Sequence, residues 1–303
     1  MQLADLNRRF AIANHVQFRE SEGGLIVAEI ANRHGSARIA LQGAHLITWQ
    51  PTGQAPVVWV SELAKFAPGK SIRGGVPICW PWFGAHAGDS TLPGHGFART
   101  VMWEVLETRE MTDGGAYLRF GLLETEATRK QWPYPSSVQI EFSIGKSLKI
   151  DLVTRNLGPQ PFVLGEALHT YFQISDVGQM TIRGLEGTAY MDKAGGANDL
   201  CKQLNGIRIE SEVDRVYMNT KSDVLIKDRG LKRVIRIAKQ GGLSTIVWNP
   251  WTEKAAKMGD FTPEGYRAMV CVESGNALEN TVTVKPGEMH RLSVLYTVEP
   301  LDD

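Results

Sequence analysis

The chain has 303 residues, and its 33 lysines and arginines are matched by 33 aspartates and glutamates. With no overall field to draw nucleic acid or an anionic membrane, neither is expected as a partner, and any anion site must be local. Cys79, Cys201 and Cys271 are widely spaced with no Cys-x-x-Cys pair, a pattern that fits reduced thiols and excludes a disulfide framework or a zinc or redox motif. Met1 to Val16 lacks the apolar stretch of a signal peptide and no later run approaches membrane-spanning length, so a cytoplasmic, soluble protein is expected.

No low-complexity tract, linker or fixed repeat divides the chain, which predicts one domain over 1–303 with residues 1–15 as an N-terminal helical extension. A short helix is predicted at Leu3 to Ala13. Strands follow at Leu25 to Ile30, Ala37 to Leu41, His45 to Trp49, Val57 to Val60, Val101 to Thr108 and Tyr117 to Leu123. After a brief helical piece at Thr125 to Trp132 come strands at Val138 to Ile144, Leu148 to Asn156, Val224 to Lys227, Arg233 to Ala238 and Thr245 to Trp248. A helical piece around Pro263 to Tyr266 and strands at Met269 to Glu273 and Arg291 to Val298 complete the pattern. Asp113-Gly114-Gly115, Ile144-Gly145-Lys146-Ser147, Asp228-Arg229-Gly230 and Lys285-Pro286-Gly287-Glu288 read as hairpin or tight-turn signals. Short strands without intervening amphipathic helices predict an all-β antiparallel sandwich or barrel, not parallel βαβ units.

The densest chemistry lies between Arg73 and Arg99. Trp80, Trp82 and Phe83 offer flat faces for a pyranose ring, and Arg73, His95 and Arg99 offer donors for hydroxyls or phosphate. A packed aromatic loop with two surface arginines would look the same. Glu273 follows the apolar run Ala268-Met269-Val270-Cys271-Val272; a carboxylate there is either a tuned general base or a solvated strand end. Alternation places Gly165, Ala167, His169 and Tyr171 on one strand face, so small neighbours leave room for a ligand above the imidazole, unless it is a satisfied core histidine. Glu166 falls on the opposite face as a polar neighbour. Asp214 can accept from sugar hydroxyls or form a surface ion pair with Arg215, and Trp248-Asn249-Pro250-Trp251 can wall a pocket or belong to the core. Cys79 lacks an adjacent base and reads as packing. The histidines show no metal-ligand spacing, so neither metal nor cofactor is expected.

Taken in order, Arg73-Gly74-Gly75-Val76-Pro77, Trp80 to Gly84, Gly94-His95-Gly96-Phe97-Ala98-Arg99, Leu168 to Phe172, Asp214 to Tyr217, Trp248-Asn249-Pro250, Met258-Gly259-Asp260 and Cys271-Val272-Glu273 resemble the bacterial D-hexose-6-phosphate mutarotases, or glucose-6-phosphate 1-epimerases. The matching blocks span roughly residues 40 to 275. The resemblance implies a galactose-mutarotase-like β-supersandwich, expected as a monomer, that exchanges the α and β anomers of a hexose 6-phosphate without a cofactor. It places the catalytic histidine on His169, the catalytic glutamate on Glu273, and substrate contacts on Arg73, Arg99 and Asp214, with His95 as a second pocket histidine. Gly94 stands where some members have Gln, so that side-chain contact is absent here.

Two proton transfers suffice for this reaction, with Glu273 as base and His169 as acid. Two alternatives remain open at this level: an aldose 1-epimerase for free sugars, and a non-catalytic carbohydrate-binding or sensor protein, which would be expected to lose His169 or Glu273. A retaining glycosidase would need a second carboxylate about 5–5.5 Å from the first, and the sequence offers no evident partner for Glu273.

Overall fold

The computed structural model describes residues 2–196 and 198–302. Two eight-stranded antiparallel sheets dominate it, joined by a four-stranded sheet and a two-stranded ribbon. The back sheet runs Met180–Arg183, Val224–Asp228, Arg233–Gln240, Met289–Pro300, Leu148–Asn156, Ser136–Ile144, Ala116–Leu122 and Trp103–Glu110. Its strands are long, and the buried-outward alternation of Ser136–Ile144 is that of a sheet with one face in water. The Asp113, Ile144 and Asp228 turns close hairpins within it, as their sequences predict.

The second sheet carries the cleft. Its order is Asp199–Lys202, Ala189–Asp192, Val213–Tyr217, Ser244–Asn249, Met269–Asn276, Glu166–Leu168 and Ile78–Cys79, with Tyr171–Gln173 also paired to Met269–Asn276. The sheets meet through one hydrophobic core. Phe172 lies edge-on to Tyr296 at 5.1 Å, the Tyr296 hydroxyl and Thr170 Oγ1 lie 2.7 Å apart, and Trp80 Nε1 donates to Thr154 Oγ1 at 3.0 Å. The four-stranded meander Val16–Glu20, Ile26–Asn32, Gly35–Ala40 and His45–Pro51 packs on the same core.

Several elements depart from expectation. The first helix covers Leu3–Phe10 and is fastened to the body by Leu6 and Phe10, both buried. Val57 to Val60 forms no strand; Val58 and Val60 make single bridges to Phe172 and Gly74. Lys285 to Glu288 forms the expected tight turn, with the Glu288 amide donating to Lys285 O at 3.0 Å, but not a hairpin, because Val282–Val284 pairs with Phe162–Leu164 while Met289–Pro300 enters the back sheet. A helix at Trp251–Lys257 went unforeseen behind the Asn249-Pro250 turn; Asn249 Oδ1 accepts from the Trp251 amide at 2.9 Å and starts it. Among the described residues no helix is long and apolar enough to cross a membrane.

Candidate active site

Strand register builds the floor of the site. Directly paired residues share a sheet face, so the row Asp214, Trp248, Cys271 and Tyr171 lies beside the row Val216, Ile246 and Glu273. These rows face a cleft of about 390 Å³, lined by Asp214, Val216, Ile246, Trp248, Glu273 and Tyr171 and rimmed by Arg73, Phe83, His95, Arg99, His169, Lys193 and Lys254. Glu273 is the fourth residue from the end of a strand buried along its whole length, not a solvated strand end.

His169 arrives from a break in the sheet. The ladder is interrupted between Glu166–Leu168 and Tyr171–Gln173, and the His169 amide donates instead to Pro77 O at 3.0 Å. The ring stacks on Tyr171 at 4.9 Å and 15°, and its Nε2 lies 3.3 Å from Glu273 Oε1. The small residues predicted to open space above it serve the sheet instead: Gly165 lies against the Trp82–Phe83 backbone, and Ala167 against Gly275. Among the described residues, His169 Nδ1 and Glu273 Oε2 are buried without a hydrogen-bond partner.

The rim is held by close backbone packing. Gly75 has φ of 69°, and a Cβ there would meet His45 Nε2 at 2.2 Å; Gly96 has φ of 71°, and a Cβ would meet Trp80 O at 1.9 Å. These glycines let the rim segments that carry Arg73 and His95 pack closely against neighbouring parts of the chain. Arg73 donates to Tyr171 Oη and Asp260 Oδ1, both at 3.1 Å. Arg99 donates to Gly94 O at 2.7 Å and has no acidic partner among the described residues. The Gly84 amide donates to His95 Nδ1 at 3.3 Å, which puts the ring proton of a neutral His95 on Nε2.

Burial governs the titration of the site. It pushes the Glu273 carboxyl well above the usual range, helped by Asp214 and opposed by Arg99, and pushes His169 well below its usual value, helped by His95, Arg99 and Arg73. Burial, with Arg99 and Lys193, lowers His95 to about 4. Asp214 is raised by burial, with Lys254 and Lys193 pulling the other way. Both shifts favour the neutral form of each partner of the His169–Glu273 pair.

One predicted contact is corrected. Trp80 is 1% exposed and packs edge-on to Phe97 and Trp132 in the core, so it offers no face to a ligand. Trp82 is likewise turned inward, with Nε1 bonded to Pro93 O. Of that aromatic run Phe83 lines the cleft, and Trp80 and Trp82 do not. Trp248, Asp214, Arg73, Arg99, His95, His169 and Glu273 all converge there. Tyr171, Lys193 and Lys254 were not singled out. Tyr171 was visible as a same-face neighbour of His169, but the lysines lie in segments with no local signal.

The sequence profile of the Aldose 1-epimerase family matches residues 27–297, and the chain belongs to that family. It is 39% identical over 255 residues, 84% of each chain, to a protein of Escherichia coli (strain K12) named "Putative glucose-6-phosphate 1-epimerase". A protein of Cenchrus ciliaris with the same name is 34% identical over 276 residues, 88% of this chain and 83% of that one. The crystal structure of a "putative mutarotase (YeaD)" from Salmonella typhimurium superposes with a TM-score of 0.89 at 33% identity, covering 96% of both chains. The fold is thus the galactose-mutarotase-like antiparallel sandwich.

Proposed function

We propose that the protein interconverts the α and β anomers of a hexose 6-phosphate, glucose 6-phosphate foremost, by acid–base opening and reclosure of the sugar ring. The observation that carries this reading is the buried contact of 3.3 Å between His169 Nε2 and Glu273 Oε1, at the floor of a cleft rimmed by Arg73 and Arg99. Ring opening removes the proton from the C1 hydroxyl, forms the C1 carbonyl, breaks the bond from C1 to the ring oxygen and protonates that oxygen. Rotation about C1–C2 and the reverse sequence give the other anomer.

A raised carboxyl is a stronger base and a lowered imidazole a stronger acid, so the two shifts bring their proton affinities together. The working state is a carboxylate base beside an imidazolium acid, the charged forms that burial disfavours. In the reclosing step Glu273 returns its proton and His169 is recharged, so no net proton is consumed. His95 Nε2–H and Asp214 are assigned to sugar hydroxyls, and Arg73 and Arg99 to the phosphate, where guanidinium donors make charge-assisted bonds. Phe83 and Trp248 offer the ring its apolar walls.

Saturation-transfer NMR on glucose 6-phosphate and on glucose tests this directly. Faster exchange of the phosphorylated sugar is expected. Equal acceleration of both sugars would favour a free-aldose epimerase, and binding without acceleration would make the cleft a carbohydrate-binding site.

A further inference from the structure

We infer that Lys193 is a phosphate-contacting, specificity-determining residue of this cleft, and that with Arg99 it forms the anion seat; this rests on the hexose 6-phosphate reading above. Four cationic side chains line the cleft: Arg73, Arg99, Lys193 and Lys254. Two of them are already engaged. Arg73 is held by Asp260 and Tyr171, and Lys254 donates to Glu212 Oε1 at 2.7 Å and lies 4.0 Å from Asp214. Among the described residues neither Lys193 nor Arg99 has an acidic partner within ion-pair distance.

Lys193 and Arg99 both reach the same cleft. Both line it together with His95, whose proton affinity both lower, Lys193 also acts on Asp214, and both are half-buried, where a charge is screened less than on an open surface. Lys193 is also fixed at its root. Its amide donates to Asp214 O at 2.7 Å, its carbonyl accepts from Gly196 at 3.2 Å, and Asp192 Oδ1 accepts from the Ala194 amide at 3.1 Å. The turn thus hangs the lysine from the strand that carries Asp214. Two half-buried cations without an ion-pair partner among the described residues favour an anion in the cleft, and a sugar phosphate supplies two negative charges and three acceptor oxygens. Arg99 offers a planar fork and Lys193 a compact point charge, which together grip a tetrahedral group from two sides.

The test compares Lys193→Ala, Lys193→Arg and Lys254→Ala on glucose 6-phosphate and glucose. Lys193→Ala is expected to lose about tenfold in kcat/KM on glucose 6-phosphate, mostly through KM, as for one lost charged hydrogen bond at the lower end of the range. The loss on glucose should be several times smaller, Lys193→Arg should recover most of the preference, and Lys254→Ala should narrow it less. Equal losses on both sugars would overturn the inference and make Lys193 a support for Asp214. Titration of inorganic phosphate followed by ³¹P NMR separates this from the activity itself. Phosphate binding that weakens in Lys193→Ala supports the seat even if no anomer exchange is found, and phosphate binding indifferent to Lys193 overturns it even in an active enzyme.

Discussion

The two large sheets share an antiparallel plan but record it differently in the sequence. Ser136–Ile144 of the back sheet alternates between core and solvent, whereas Met269–Asn276 of the cleft sheet is buried at every position. The back sheet has one wet face, so period two survives in its residues. The cleft sheet is covered by the core on one side and by the walls of the cleft on the other, so alternation vanishes and a carboxylate appears inside an apolar run. A functional sheet is thus harder to read as a sheet and easier to read as chemistry.

The largest break in that comparison should come from the acid–base pair. Glu273→Gln and His169→Ala are each expected to lower anomer exchange by ~10²–10⁴-fold with unchanged circular dichroism. The double variant should be little worse than the worse single one, since the two act as a unit. Either folded single variant exchanging at the wild-type rate would sink the assignment.

The reverse behaviour is expected across the core. Ile140 is 1% exposed on an interior strand of the back sheet, and Ile140→Ala should cost about 2–5 kcal/mol in urea unfolding while the protein that remains folded keeps its exchange rate. A matching loss of specific activity would mean that the back sheet shapes the cleft directly.

A smaller effect separates the arginines. Arg99→Ala should lose roughly ten- to hundredfold in kcat/KM on glucose 6-phosphate and much less on glucose. Arg73→Ala should narrow the ratio less, because Arg73 also braces Tyr171 beneath His169 and its removal touches both sugars. If the two variants behave alike, that bracing role is wrong.

The smallest effect concerns a tie between the sheets. His290 Nε2 lies 2.8 Å from Glu166 Oε1, which is buried and also accepts from Asn276. Burial alone would lower His290, but the hydrogen bond and charge of Glu166 outweigh it and the net shift is upward. A raised folded value means that this stabilisation is complete below the ordinary histidine value of about 6.5 and fades as pH rises through the folded one. The urea midpoint of the wild type minus that of His290→Gln should therefore shrink as pH rises from 6 to 9. A difference independent of pH would show that the imidazolium contributes nothing.

Much of the back sheet was legible, down to Leu148–Asn156 with both ends placed. The short cleft strands at Glu166–Leu168, Tyr171–Gln173 and Ala189–Asp192 were not, since three or four residues carry too little periodicity. His169 and Glu273 stood out because their residue types conflict with their neighbours. Trp80 misled for the opposite reason: an aromatic beside a proline looks equally suited to core and to cleft. Lys193 gave no sign, because its meaning depends on which other cations already have partners, and only three-dimensional contacts reveal that. Glu166, read as an ordinary polar neighbour, is instead a fully buried anchor for His290.

The burial of Glu273 among Val216 and Ile246 also sets a direction for change. A carboxyl with one oxygen unpartnered in an apolar strand weakens the fold it sits in, and a side chain of similar volume without polar atoms would relieve that strain. Glu273→Leu should melt at a higher temperature than the wild type while exchanging no anomers. On the proposed mechanism, selection for hardiness alone would then carry this sandwich toward a sugar receptor that keeps its arginines and performs no reaction, and demand for turnover would be what holds the Glu273 carboxyl in place.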